Sequence, residues 1–319
     1  MAETIIITMK LIFTFLLLTF STYLFPQLEI SKTEPFLESV ISQFPNVRDI
    51  AISNDKSEVV FSAQSYMGDL SALISIKKTN NTWSTPEIVS FSGQFFDLEP
   101  YFSSDGLTLY FVSNRPLDSS SNAIKDFDIW YVKRDGLNSK WSLPINMGSP
   151  INTVMDEFYP VITDSGNLYF TLDNQALKQK DNIYVSEFIN GKYTEPKQLN
   201  SSINSDGYEF NAFVARDESY IIYTCYNREG GFGSGDLYIS YKSDNGDWTP
   251  SENMGDKINS DKMDYCPFVD ETSNTLYFTS KRNSVLATSE KQLTIVDLLA
   301  KFNTYENGLS RLYKVLLND

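Results

Sequence analysis

Four acids recur at one position of the chain. Asp97, Glu157, Glu209 and Asp264 each stand three residues ahead of a slot held by Pro100, Pro160, Ala212 and Pro267. Three arginines, Arg115, Arg228 and Arg282, follow the next apolar run in the same segments. Carboxylates gathered at one mouth can bind a cation, a sugar or a basic peptide. Two of them about 5–9 Å apart can also hydrolyse a glycoside. Acids matched one to one with arginines do something plainer, neutralising each other and fixing loops. The spacing leaves both readings open, so all seven residues are candidates for a binding site at a channel mouth.

Much other chemistry is absent. The 319 residues contain no histidine, which removes Ser-His-Asp and Cys-His catalysis, histidine metal sites and the commonest general base. The run GFGSG, Gly231 to Gly235, puts Ser234 in the wrong slot for a nucleophile elbow and reads as a mobile loop. Asp118 to Asp128 is rich in oxygen ligands but lacks the EF-hand spacing, and reads as a solvated loop. No metal or cofactor is implied. The net charge of −15 argues against nucleic acid, whose phosphates need a basic face.

The candidates must be positioned by a repeat. An apolar-aromatic strand ends at Phe61, Phe111, Phe170, Tyr223 and Phe278, at spacings of 50, 59, 53 and 55 residues. Spacing that varies over a fixed core means loop insertions. Before each anchor lies another strand and a tight turn, such as Ser104-Asp105-Gly106 or Thr163-Asp164-Ser165-Gly166, with the residue types that hairpins demand. After it come a third strand (DIWYV, NIYVS, DLYIS, RLYKV) and a fourth segment with an aromatic, a proline and a tail ending at Asn152, Asn204 or Asn259. Proline suits an edge, where its missing N–H needs no partner.

Four antiparallel strands per unit with the last outermost describe a propeller blade, and the chain is expected to be an all-β, five-bladed propeller. The last unit lacks a fourth segment, while Glu34-Pro35 precedes the first unit as an orphan one. The N-terminal strand should therefore complete the last blade. A single propeller domain would span 28–319, preceded by a signal peptide over 1–27. The apolar run Leu11 to Phe25 is short for a membrane span, and Met9 gives a cleaner start to it than Met1. Cys225 and Cys266 could form a disulfide or remain two buried thiols. Between about 288 and 303 the spacing of Leu293, Val296, Leu299 and Phe302 predicts a helical insertion, with Ser289 and Gln292 as a capping box. It would either cover a core edge or meet a partner.

The hairpin Pro100 to Ser113 with Asp128-Ile129-Trp130, and its echoes at Pro160 to Thr171 and Pro267 to Thr279, resembles the TolB-type, WD-repeat-like propeller family of exported bacterial proteins. The fourth unit departs from that pattern at Ala212 and at Glu218, which takes a glycine slot; the first has Ile50 for proline. The resemblance implies a monomeric, non-catalytic scaffold in the periplasm or at the outer membrane, binding a cell-envelope protein or peptide. The alternative is a carbohydrate-active propeller that binds or hydrolyses a glycan with its mouth acids.

Overall fold

The computed structural model describes residues 32–173 and 180–317; the expected signal segment lies outside them. Five sheets carry the predicted blades. Their innermost strands are Asn46–Ile52, Asp97–Phe102, Asp156–Ile162, Tyr208–Val214 and Asp264–Asp270. Each packs against the next, and the fifth against the first, closing a ring around a channel. The second strands, Glu58–Gln64, Thr108–Ser113, Leu168–Asp173, Tyr220–Tyr226 and Thr275–Ser280, bury all five aromatic anchors between neighbouring blades. Burial of this kind is the main term holding one blade to another.

The last blade is completed as the orphan segment requires. Glu34 and Pro35 pair with Lys314 and Tyr313 of strand Arg311–Leu316, giving an outer strand from one end of the chain and three inner strands from the other.

The recurring asparagines have a defined task. Asn204 accepts the Ile183 N–H at 2.8 Å and donates to the carbonyls of Ile183 and Leu199 at 2.9 and 3.0 Å. Asn152 and Asn259 treat Ile129 and Leu237 in the same way. Each amide stands in for backbone where the two-residue outer strand has run out of it. Glu218, the departure in the fourth unit, is also explained. It sits at φ 61° and reaches the third blade, accepting from Ser165, Asn167 and Tyr169 at 2.7, 2.8 and 2.8 Å, with Lys242 of its own blade at 3.0 Å. A glycine there would lose this clamp between blades.

Two expectations need correction, and one open alternative is decided. The helix is shorter, Ile295–Phe302, and its capping box is Thr294 with Asp297, not Ser289 with Gln292. None of its residues is buried, so it covers no core edge. The Gly231–Gly235 loop is tied down: Asp236 accepts the N–H groups of Phe232 and Gly233 at 2.6 and 3.1 Å. A Cβ on Gly233 would lie 1.7 Å from the Lys262 carbonyl oxygen, so glycine is there for close approach. Cys225 and Cys266 are both buried free thiols.

Two stability predictions follow from these contacts. Asn204→Ala leaves the buried Ile183 N–H unpaired, while the Ile183 carbonyl keeps the Leu199 N–H, and should cost about 2 kcal/mol in urea unfolding. Burial pulls the Glu218 carboxyl up, but its hydroxyl partners Ser165, Tyr169 and Thr163 and the Lys242 ammonium together hold it down at about 2. A depressed carboxylate contributes stability above its unfolded value near 4.5, lost as pH falls towards 2. Glu218→Gln should therefore be less stable than the parent by about 2 kcal/mol at pH 7, with the gap closing between pH 5 and 2; a gap independent of pH would refute the clamp.

Candidate functional site

The seven residues singled out by spacing lie where the innermost strands begin. Asp97 accepts from Arg115 at 2.7 Å and from Ser92 at 2.6 Å. Glu209 takes Arg228 at 2.9 Å and Ser205 at 2.5 Å. Asp264 takes Ser260 at 2.7 Å, with Arg282 at 3.6 Å. Each acid is buried and its arginine belongs to the same blade. Glu157 has no arginine partner among the described residues; Thr153 donates to it through its hydroxyl at 2.6 Å and its N–H at 3.1 Å. Burial pushes the Glu157 carboxyl up to about 8.

Midway down the channel every innermost strand breaks register with its neighbour, between Arg48 and Ile50 and at the equivalent points of the other four. The residue at the break has positive φ each time: Asp49, Glu99, Tyr159, Asn211 and Cys266, at 53, 56, 54, 49 and 53°. Such bulges bend a strand and re-aim its side chain. These five form a buried ring tied together by Arg48, which donates to Asp49 and Glu99 at 2.8 Å and to the Cys266 sulfur at 3.3 Å. Asn211 donates to Glu99 at 3.0 Å.

The bulge N–H groups need acceptors, and a hydroxyl from the preceding blade supplies three. Asp49 donates to Thr279, Glu99 to Ser62 and Asn211 to Thr171, at 3.2, 3.1 and 3.0 Å. The equivalent position of the second blade is Val112, which has nothing to offer; there the Tyr159 N–H donates to Glu99 at 2.7 Å instead. Burial, opposed by Arg48 and reinforced by Asp49, pushes the Glu99 carboxyl up to about 7. The ring escaped the sequence reading, although its five residues are the column immediately before the proline slot.

A funnel of about 300 Å³ opens at the opposite mouth, where the innermost strands end. None of the seven spaced residues lines it. All five blades contribute: Tyr101, Phe102, Phe213 and Phe268 form an aromatic throat below a rim of Asp164, Arg216, Asp217, Asp270 and Glu271. The rim is stitched from blade to blade. Asp164 N–H donates to the Arg216 carbonyl at 2.9 Å, and Arg216 N–H to Glu271 at 3.2 Å. Two rim acids diverge in acidity. Burial, helped by Asp217 and Asp164 and opposed by Arg216, holds the Glu271 carboxyl above the usual range; the Ser219 hydroxyl and N–H hold Asp217 below it. Divergent neighbours are how an acid and a base are recognised. Asp270 is spoken for by Lys56 at 2.6 Å and by Ser273 at 2.5 Å.

Among the described residues no group of acids or cysteines is arranged to hold a metal ion. No helix there is long and apolar enough to cross a membrane.

No protein-family model matches the chain, and no curated protein matches it. Solved structures do. The catalytic domain of the Coprinopsis cinerea GH62 α-L-arabinofuranosidase matches at TM-score 0.56 and 13% identity, over 91% of this chain and 97% of that one. The Bacillus licheniformis GH43 endo-arabinanase matches at 0.49 and 13%, over 85% and 93%. TolB from Acinetobacter baumannii matches at 0.47 and 14%, over 75% of this chain; the chain spans about half of that protein's length, 49%. At such identities the likeness is one of fold. It nevertheless overturns the expectation that the chain is not an enzyme: that rested on propellers being scaffolds, and the same ring of blades is the catalytic domain of a glycoside hydrolase.

The buried pairs at the strand starts make a measurable prediction. Arg228→Ala strands the Glu209 carboxylate and should cost about 3 kcal/mol in chemical unfolding. The double variant Arg228→Met with Glu209→Gln should recover most of it; equal losses in both would show that the ion pair is not what the site depends on.

Proposed function

We propose that the chain is a carbohydrate-active propeller, a glycoside hydrolase whose working site is the funnel at the strand-end mouth. The observation that carries the reading is the funnel itself. Its volume of about 300 Å³ lies at the small end of the ~300–1,000 Å³ typical of ligand sites. Its aromatic floor and carboxylate rim offer the two surfaces that a sugar presents, C–H faces and hydroxyl edges. The catalytic-domain neighbour shares the fold and supports the reading without fixing a substrate.

In this mechanism the sugar ring packs on Tyr101, Phe213 and Phe268, with the glycosidic oxygen at the rim. Glu271, whose burial favours the protonated form, is the general acid that protonates the leaving oxygen. Asp217, kept ionised by Ser219, is the carboxylate that activates water or meets the oxocarbenium-like carbon. Arg216 flanks Glu271 with its Nε 3.6 Å away and limits how far that pKa can rise. The ring at Glu99 and Arg48 takes no part in bond cleavage and holds the blades in register beneath the floor. We take the chain to be exported, with Leu11 to Phe25 as its signal, and its partner to be a glycan outside the cytoplasm.

The test is a panel of 4-nitrophenyl glycosides and oligosaccharides of arabinan and xylan, followed by product release and calorimetry. At least one should be cleaved, with activity falling as pH rises through the Glu271 pKa and again at low pH as Asp217 protonates. Glu271→Gln and Asp217→Asn should each lower kcat by about 10²–10⁴-fold while the unfolding free energy in urea stays within about 0.5 kcal/mol of the parent. A panel neither cleaved nor bound would sink the proposal.

A further inference from the structure

The helix Ile295–Phe302 presents its apolar side to solvent. A surface helix ordinarily lays that side on the core and shows its charges to water. Here Ile295, Val296, Leu299 and Phe302, which share one side of the helix, are all exposed. The residues set closer to the fold are Leu298 and Lys301, both half-buried. The backbone that carries them is well tied. Thr294 and Asp297 cap the helix reciprocally, and the Asn307 amide donates to the Phe302 carbonyl at 3.0 Å. The two arms of the insertion extend the ladder of the last blade, with Asn283 bridged to Asn307. Apolar residues exposed together on a fixed backbone mark a surface that meets another one.

A second exposed group stands on the neighbouring first blade, at the same strand-start side. Tyr66, Met67 and Leu70 project from the turn between strands Glu58–Gln64 and Ser71–Thr79. Asn46 ties that turn to the end of the insertion: its amide donates to the Ser65 carbonyl at 3.0 Å, and its oxygen accepts the Ser310 N–H at 3.1 Å. The seven residues, from 50% exposed at Leu299 to 88% at Met67, offer on the order of 800 Å². A standard interface takes about 800 Å² from each side. The helix alone falls short of that, and the two groups together reach it.

Charge narrows the occupant. The chain carries −15 overall, which opposes an anionic lipid surface. The helix has one cation, Lys301, where interfacial helices are rich in them. A basic partner would be drawn to acids elsewhere, because residues 283–307 are nearly balanced, with Lys291 and Lys301 against Glu290, Asp297 and Glu306. Two copies of this insertion meet with little repulsion. In an antiparallel crossing centred on Leu299, Lys301 of one copy lies abreast of Asp297 of the other, and the helix dipoles run in opposite senses.

From the outward apolar side and the matching area we infer that the occupant is a second copy of this chain. The protein is a two-fold dimer, joined at its strand-start side through Ile295–Phe302 and the turn at 66–70. The strand-end funnels of both copies stay open, and the inference holds whatever the funnel takes.

The experiment is sedimentation equilibrium of the full chain over a wide range of concentration. The mass should approach that of two chains, with a Kd of about 1 μM or tighter, as interfaces of this size show. Val296→Asp and Met67→Asp each place an unpaired charge in the contact and should weaken it at least ~30-fold. Both residues are exposed within one copy, so circular dichroism and urea unfolding of the single chain should not change. Leu299→Cys should oxidise to a covalent dimer, whereas Ser139→Cys on the strand-end side should not; Cys225 and Cys266 are buried and stay out of the reaction. A single-chain mass at every concentration would overturn the inference, as would a dimer that both aspartates leave intact. A chain that stays single but floats with phosphatidylcholine vesicles, and loses them on Val296→Asp, would overturn it in favour of a membrane.

Discussion

The structure depends on five bulges. Five innermost strands converge on one axis, each packed against the two beside it, and a regular strand would drive its side chains into its neighbours' backbones. A single residue at positive φ, repeated at Asp49, Glu99, Tyr159, Asn211 and Cys266, turns the strand and frees one N–H. A non-glycine residue in that region carries strain of the order of 1 kcal/mol, so each bulge must be repaid by a fixed acceptor. Thr279, Ser62 and Thr171 provide it across blade boundaries. Three boundaries are thereby keyed by a hydroxyl, and a fourth, at Val112, draws a carboxylate into the channel to do a hydroxyl's work. Glu99 is a charged residue in a structural post, and Arg48 is its necessary companion.

That arrangement divides the molecule by mouth. At the strand starts, acids and arginines are consumed in pairs within blades, and their burial leaves little for a ligand. At the strand ends, the hairpin turns carry acidic side chains whose partners are hydroxyls and backbone, with Lys56 on Asp270 and Arg216 beside Glu271 as the two cations. Aromatic side chains close the cup below them, Phe213 and Phe268 meeting edge to face at 5.8 Å. The acids that line the funnel therefore belong to the turns or, as with Asp270, to the last residue of a strand.

The blade pattern was legible because alternation over an aromatic anchor is a period the chain cannot hide. Phe61, Phe111, Phe170, Tyr223 and Phe278 gave the number of blades, and Glu34-Pro35 gave the closure. The pairing of Asp97 with Arg115 was legible too, since antiparallel strands of known length bring their ends together. Two things were not. Asp217 followed by Ser219 is good turn chemistry whether or not the turn borders a cavity, so nothing in the letters separates rim from surface. The bulge column varies from Asp to Cys because its requirement falls on the backbone, and a backbone requirement that no glycine satisfies leaves no mark on composition. The helix boundary moved for a similar reason. Ser289 and Thr294 are both acceptable caps, and the choice went to the one whose third residue, Asp297, could answer it.

The pairing of Glu34 with Lys314 has a consequence for how the molecule comes into being. It joins the first described strand to the last, a contact that spans nearly the whole described chain, and closing a loop of that length carries the largest entropic cost in the fold. Until Arg311–Leu316 has been synthesised, the first four blades can form only an open arc, with the flanks of the first and fourth blades exposed. The two-residue strand is thus a latch that converts an arc of separable units into one cooperative object. Local damage to any blade should then be felt as loss of the whole ring rather than as fraying at one end.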